Sequence, residues 1–444
     1  MRNVVRTLMA ATLFLATQAV SLAVDPVGQL IERVNRGEVK LDYAKDGWGY
    51  LSSLLAHLDI NKDSQLLVFS KTSFQQSKIG PKTPRAIYFN DNVMVGAVQN
   101  GEVFEFASVD PAGDIQYYTM DIAQSGPPKF ETQRQLCGSC HNPINPYVTG
   151  LLVATVYPAV DGTPFFTGIL FKATDHRTPF EDRWGGWYIS GTHGTMKHLG
   201  NALSLNPYRP IELETKNTQN LTDLSSKFDT SKYLVPTSDL IAIMTLDHQT
   251  KITNLLTTAN AEFHYFGTNE LPAKYIPSPA MLDGAVDDVV RYMLFVDEAP
   301  LTSPIKGVST FTETFPKRGP FDSKGRSLRD FDLKTRMFKY PMSYMIYSDL
   351  FDNINPTARD RILRRLYNVL TGKEVLPAVP PPAPPGPFNP EPAKSATKAA
   401  GKTAPAKPAP QTKLTAADRQ AILEILRETK KNLPDYWKVS TAAR

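Results

Sequence analysis

The fold is decided by four short runs in close succession: Arg85-Ala86-Ile87-Tyr88-Phe89, Val93-Met94-Val95-Gly96-Ala97-Val98, Val103-Phe104-Glu105-Phe106-Ala107-Ser108-Val109 and Ile115-Gln116-Tyr117-Tyr118-Thr119-Met120. Each is rich in β-branched and aromatic residues. Each is separated from the next by turn chemistry: Asn90-Asp91-Asn92, then Gln99-Asn100-Gly101, then Asp110-Pro111-Ala112-Gly113. Short β-rich runs at near-regular spacing predict an antiparallel meander. Gln65 to Ser70 reads as a further buried strand ahead of them. Leu151 to Tyr157 and Phe165 to Phe171, joined by Pro158-Ala159-Val160-Asp161-Gly162, read as a hairpin behind them.

Outside this β-rich part the period changes to that of helices. Val27, Leu30, Ile31 and Val34, then Leu51, Leu54, Leu55 and Leu58, recur at helical spacing on either side of the aromatic patch of Tyr43, Trp48 and Tyr50. Pro236-Thr237-Ser238-Asp239 predicts a helix start, with Ser238 or Asp239 as cap, and the helix runs through Phe263. Residues 280–297 predict a second helix and residues 300–330 a loop. Residues 331–370 are expected to be mostly helical, broken at Pro341 and around Asn355-Pro356. His57, His248 and His264 read as packed or surface histidines. The basic face of Arg359, Arg361, Arg364 and Arg365 reads as a solvated helix face. The fold class is α+β. An antiparallel β-rich N-terminal half (60–172) precedes a mostly helical C-terminal half (236–372), together a body spanning 24–375.

The ends carry different information. Residues 1–23 combine Arg2 and Arg6, an apolar run from Leu8 to Val20 and a small-residue cleavage site at Ser21-Leu22-Ala23, which reads as a secretory signal peptide. No later stretch is apolar enough to predict a membrane span. Residues 376–412 are dominated by Pro, Ala and Lys and read as a semi-rigid linker. Residues 413–438 return to an amphipathic helix, with Thr415 and Asp418 near its start, expected to dock on the body or on a partner. The net charge of +5 comes from the leader and from five lysines against one glutamate in 391–413. The body is close to neutral, which argues against a nucleic-acid partner.

The only two cysteines of the 444 residues stand in Cys137-Gly138-Ser139-Cys140-His141, directly after the meander. The spelling C-x-x-C-H is the attachment signature of a c-type haem: each thiol adds to one vinyl group, and His141 ligates the iron axially. A structural zinc site would be one ligand short. A thioredoxin-like motif would open a helix, whereas Asn142-Pro143-Ile144-Asn145-Pro146 follows here. A disulfide between residues 137 and 140 would close too small a loop to stabilise much. The reading is one covalent haem c in an exported protein, periplasmic or otherwise extracytoplasmic.

A second distinctive stretch, Glu181 to Asn201, holds Trp184, Trp187, His193, Met196, His198 and five glycines in 21 residues. Trp and Tyr supply flat apolar walls, and an electron-transfer haem usually takes His or Met as its second axial ligand. His193, Met196 and His198 are therefore the distal candidates. Each also has an ordinary reading, as a loop hydrogen bond, core packing or a surface group.

Together these segments resemble a family of large single-haem bacterial c-type cytochromes, exported cytochrome c domain proteins unlike the small all-helical cytochrome c. The resemblance is carried by Pro84 to Asp91, the Cys137–His141 motif, Arg183-Trp184-Gly185-Gly186-Trp187-Tyr188, His193-Gly194, His198-Leu199-Gly200-Asn201, Lys339 to Ser348 and Leu433-Pro434-Asp435-Tyr436-Trp437. It implies haem binding and electron transfer with a redox partner protein, and no particular substrate. The alternative is a haem enzyme or gas sensor with an open distal site, peroxidase-like or small-ligand binding, so catalysis is left open at this stage.

Overall fold

The computed structural model describes residues 25–123, 127–141, 148–165, 171–206, 208, 212–272, 276–376 and 414–438. The proposed signal peptide, nearly all of the linker and the two prolines after the haem motif lie outside them. The meander is present. Strands β1 (Leu66–Val68), β2 (Arg85–Phe89), β3 (Val93–Ala97), β4 (Val103–Asp110), β5 (Asp114–Asp121) and β6 (Phe130–Thr132) pair antiparallel in sequence order. A seventh strand, β9 (Trp187–Tyr188), completes the sheet beside β1. Strand β7 (Ala154–Val156) pairs antiparallel with β8 (Phe171–Ala173), so the second strand overlaps the expected run Phe165 to Phe171 only at Phe171; residues 166–170 lie outside the described set.

The sheet is covered on both faces, and the strand alternation shows how. Ala86, Tyr88, Val93, Val95, Phe104 and Phe106 point to a core shared with α1 (Pro26–Asn35) and α2 (Leu51–His57). Phe89, Val109, Ile115 and Tyr117 point the other way, into a larger core built on α4 (Leu240–Tyr265) and α5 (Pro279–Met293). Successive side chains on a strand alternate sides, so one strand feeds both layers. Each fully buried large side chain contributes about 1.5–3 kcal/mol, and these two layers hold the fold.

Helix α4 is capped by Asp239, whose carboxylate accepts from the backbone N–H of Ile241 and Ala242. Ser238, the other predicted cap, instead donates to the Tyr188 carbonyl and accepts from the Leu67 N–H, tying the helix start to the sheet edge. The expected helix over residues 331–340 is absent. Asp332 takes the N–H groups of Lys334 and Thr335, Leu333 adopts a φ of 60°, and Phe331 bridges to Phe338 in a tight reversal. A short acidic side chain that captures its own following N–H groups competes with the helix ladder. Short helix α6 (Phe311–Thr314) lies before the reversal; after it a 3-10 turn forms at Tyr344–Tyr347, and α-helix resumes at α7 (Asp349–Asn353) and α8 (Pro356–Leu370).

The C-terminal helix, α9 (Ala416–Thr429), docks on the body. A Thr415–Asp418 capping box starts it, and Ile422, Leu423, Ile425 and Leu426 are buried against the larger core. Ion pairs from Arg336 to Asp418 (2.7 Å) and Arg326 to Glu424 (2.8 Å) flank that apolar seam. Trp437 of α10 (Asp435–Lys438) sits fully buried beside Tyr367. Among the described residues no helix is long and apolar enough to cross a membrane.

Candidate haem site

The Cys-x-x-Cys-His stretch forms the last turns of α3 (Arg134–His141), which packs against β5. Helical spacing places Cys137, Cys140 and His141 at i, i+3 and i+4, one face of the helix. No disulfide joins the two cysteines; Cys140 is exposed and Cys137 half-buried. Burial pushes the Cys137 thiol up to about 11. The chain returns from α3 so that the Gly150 N–H donates to the His141 carbonyl (2.8 Å) while the Gly150 carbonyl accepts from His141 Nδ1 (2.8 Å). A carbonyl can only accept, so Nδ1 carries the proton and Nε2 keeps its lone pair. Burial lowers the imidazole's affinity for a second proton, so the ring is neutral at neutral pH. The Tyr117 ring lies 4.9 Å from the imidazole, and its hydroxyl donates to the same Gly150 carbonyl (2.7 Å).

A cavity of about 560 Å³ opens beside this helix end. Cys140 and His141 form one part of its lining. Residues 148–153 and 173–175 form another, and Thr250, Lys251, Asn254, Leu255, Thr257, Thr258 and Glu262 of α4 with Met281 of α5 form the rest. Its size falls within the range of small-molecule and cofactor sites. Asn254 fixes the wall, accepting from the Leu151 N–H and donating to the Leu151 carbonyl, both at 2.8 Å. The fit at Gly150 is close: a Cβ there would sit 3.2 Å from the Asn254 Oδ1. Leu151, Leu152, Val153 and Leu255 are suited to a porphyrin's apolar faces, and Lys251 to its carboxylates. Two thiols and a ligand-ready imidazole on one helix face, beside a cavity of this size, fit a covalent haem. Among the described residues no group of three or more His, Cys, Asp and Glu side chains gathers to hold a metal ion directly.

The distal candidates lie elsewhere. His193, Met196 and His198 do not line the cavity. His193 donates from Nδ1 to the Met196 carbonyl (2.8 Å), and its Nε2 accepts from the Asn220 N–H (3.0 Å), so both ring nitrogens are used. The His198 ring is caged by Phe180, Trp184 and His193, with Nδ1 buried and unpartnered. Burial, reinforced by His193, pushes its pKa down to about 3. Met196 is packed in the larger core.

The surrounding glycines serve close packing. A Cβ on Gly185 would meet the Val156 carbonyl at 2.3 Å, and one on Gly191, at a φ of 153°, would meet Leu240 at 2.7 Å. Trp184 Nε1 donates to the buried Asp247 carboxylate (2.7 Å), and Trp187 Nε1 to the Ala154 carbonyl (2.9 Å). The stretch is a junction between β1, β7 and the start of α4.

Of the remaining histidines, His248 is buried with His176, their Nδ1 atoms 2.9 Å apart and their rings stacked near Tyr292 and Phe295. The α4 face that lines the cavity carried no sequence signal. Nearly every residue in the first three turns of this helix is buried, so its pattern does not separate a cavity wall from a core stripe. No family model, curated protein or solved structure matches the chain.

Proposed function

We propose that the protein is an exported c-type cytochrome that carries one haem and passes single electrons to and from a redox partner protein. Thioether bonds from Cys137 and Cys140 would hold the haem, and His141 Nε2 would ligate its iron. The observation that carries this reading is the geometry of His141, held neutral and oriented by Gly150 at the edge of the cavity that Cys140 also lines. The bound haem supplies the one-electron couple. The chain does the rest. The Gly150 carbonyl fixes the imidazole tautomer and raises its basicity as a ligand. Tyr117 buttresses the ring, and Asn254 locks the cavity wall, so the site has little freedom to reorganise between oxidation states. The leader's composition supports export to the periplasm, where such attachment takes place.

One observation favours a second reading, a haem enzyme or small-ligand sensor: the three distal candidates stand away from the cavity, whose α4 wall offers the hydroxyls of Thr250 and Thr258 and the Glu262 carboxyl. Spectroscopy of the purified holo-protein separates the two. An electron carrier is expected to be low-spin in both oxidation states, with a reversible one-electron potential. High-spin iron that binds carbon monoxide or peroxide at once contradicts the carrier reading.

A further inference from the structure

We infer that Met281 supplies the second axial ligand of the haem iron. This rests on the haem reading above and deepens it. The starting point is the cavity's chemistry. The described side chains of its lining include two donors, besides those of the attachment motif, that can bind iron through sulfur or nitrogen: the Met281 thioether and the Lys251 amine. Asn254, the threonines and the carboxylates are oxygen ligands, and none is a usual axial ligand of an electron-transfer haem.

Three features favour Met281 over Lys251. A thioether binds iron without losing a proton, whereas an ammonium must first give one up. Burial and nearby Arg177 lower the Lys251 pKa, yet its amine also faces the Asp175 and Asp288 carboxylates, which compete with iron for it. Met281 is the most exposed of the described methionines. Met244, Met293, Met337, Met342 and Met345 are buried in the core, while Met281 is 41% exposed. An exposed thioether on the rim of a cavity gains nothing from core packing. A long unbranched side chain there is free to turn inward.

The backbone supports that reach. Ser278 caps α5, its hydroxyl accepting from the Met281 N–H, so Met281 stands on the helix's first turn. Helices α4 and α5 pack along one another, with the Tyr292 hydroxyl donating to the His248 carbonyl at the far end of the contact. That alignment brings the start of α5 beside the last turns of α4, the part that carries Thr258 and Glu262 on the cavity wall. Met281 thus approaches the cavity on a helix separate from the one that bears His141.

The test is the absorption and magnetic circular dichroism of the full-length protein matured with haem. The wild type should show a low-spin ferric iron with the far-red sulfur-to-iron charge-transfer band. Met281→Ala should lose that band and become high-spin, and Met281→His should return a low-spin spectrum of bis-imidazole type. Met196→Ala, at a methionine packed in the core away from the cavity, should leave the wild-type spectrum unchanged. The thermal melt of each variant reports whether it has folded, and the partial exposure of Met281 predicts that it has. A Met281→Ala protein with an unaltered low-spin spectrum overturns the inference, as does loss of the band on Met196→Ala. Wild-type protein that carries no covalent haem overturns instead the functional reading beneath it.

Discussion

Two regions of this molecule look like haem surroundings in the sequence, and the structure treats them differently. Residues 134–141 and 148–153 are plain in composition apart from two cysteines and a histidine, yet they border a cavity and present a neutral, oriented imidazole. Residues 183–201 carry tryptophans, histidines, a methionine and glycines, yet these side chains are taken up by the surrounding core and backbone. His193 spends both ring nitrogens on backbone groups, and Trp184 bonds a buried aspartate. Composition indicates which chemistry is available. Only geometry shows whether a donor is free to use it.

The comparison can be broken most severely at the motif. Cys137→Ala with Cys140→Ala should abolish covalent haem, while His193→Ala should leave haem content and spin state as in the wild type. Pigment retained after denaturing electrophoresis reads both. Haem loss from the His193 variant would put the glycine- and tryptophan-rich stretch back into the site. Next in size is Trp184→Ala, which removes a fully buried ring and leaves Asp247 short of a donor. It should cost about 3–5 kcal/mol of stability in denaturant melts. A loss below about 1 kcal/mol would deny this stretch its structural role.

A pH series sharpens the same contrast. His198 has a folded pKa of about 3, below the ordinary 6.5, so the unfolded chain binds its proton first. Its contribution is intact above pH 6.5 and is lost as pH falls toward 3, on the order of 2 kcal/mol by pH 5. His198→Gln should therefore flatten part of the fall in stability between pH 7 and pH 5. An unchanged slope would show that His198 is not the buried neutral ring described. An effect of similar size is expected from Asn254→Ala, which frees the Leu151 backbone and should cost about 1–3 kcal/mol. It should also broaden the haem spectrum, because the cavity wall loses its anchor. A sharp, unshifted spectrum would remove Asn254 from the site.

Much of the fold was legible because its signals are local. The strands from Arg85 to Met120 alternate between two buried layers and are joined by turns that carry their own chemistry. The Thr415–Asp418 capping box is likewise a sequence-local device. What escaped reading depends on distant partners. Strand β9 is two residues long and exists because β1 pairs with it. Residues 331–340 have helix-like content, but Asp332 closes a reversal beneath the Phe315 and Phe338 rings. At the site, Cys137, Cys140 and His141 announce themselves by spacing. Lys251, Asn254 and Met281 do not, since a residue facing a cavity and one facing a core share the same helical pattern.

The central claim is that Cys137 and Cys140 hold a haem beneath which His141 is ready to bind. Intact mass spectrometry of the protein purified from a haem-maturing host tests it most directly. The account predicts a chain heavier by one haem, with the added mass mapped to the peptide that contains both cysteines. A chain at its bare mass, with two free thiols and no pigment, would contradict it.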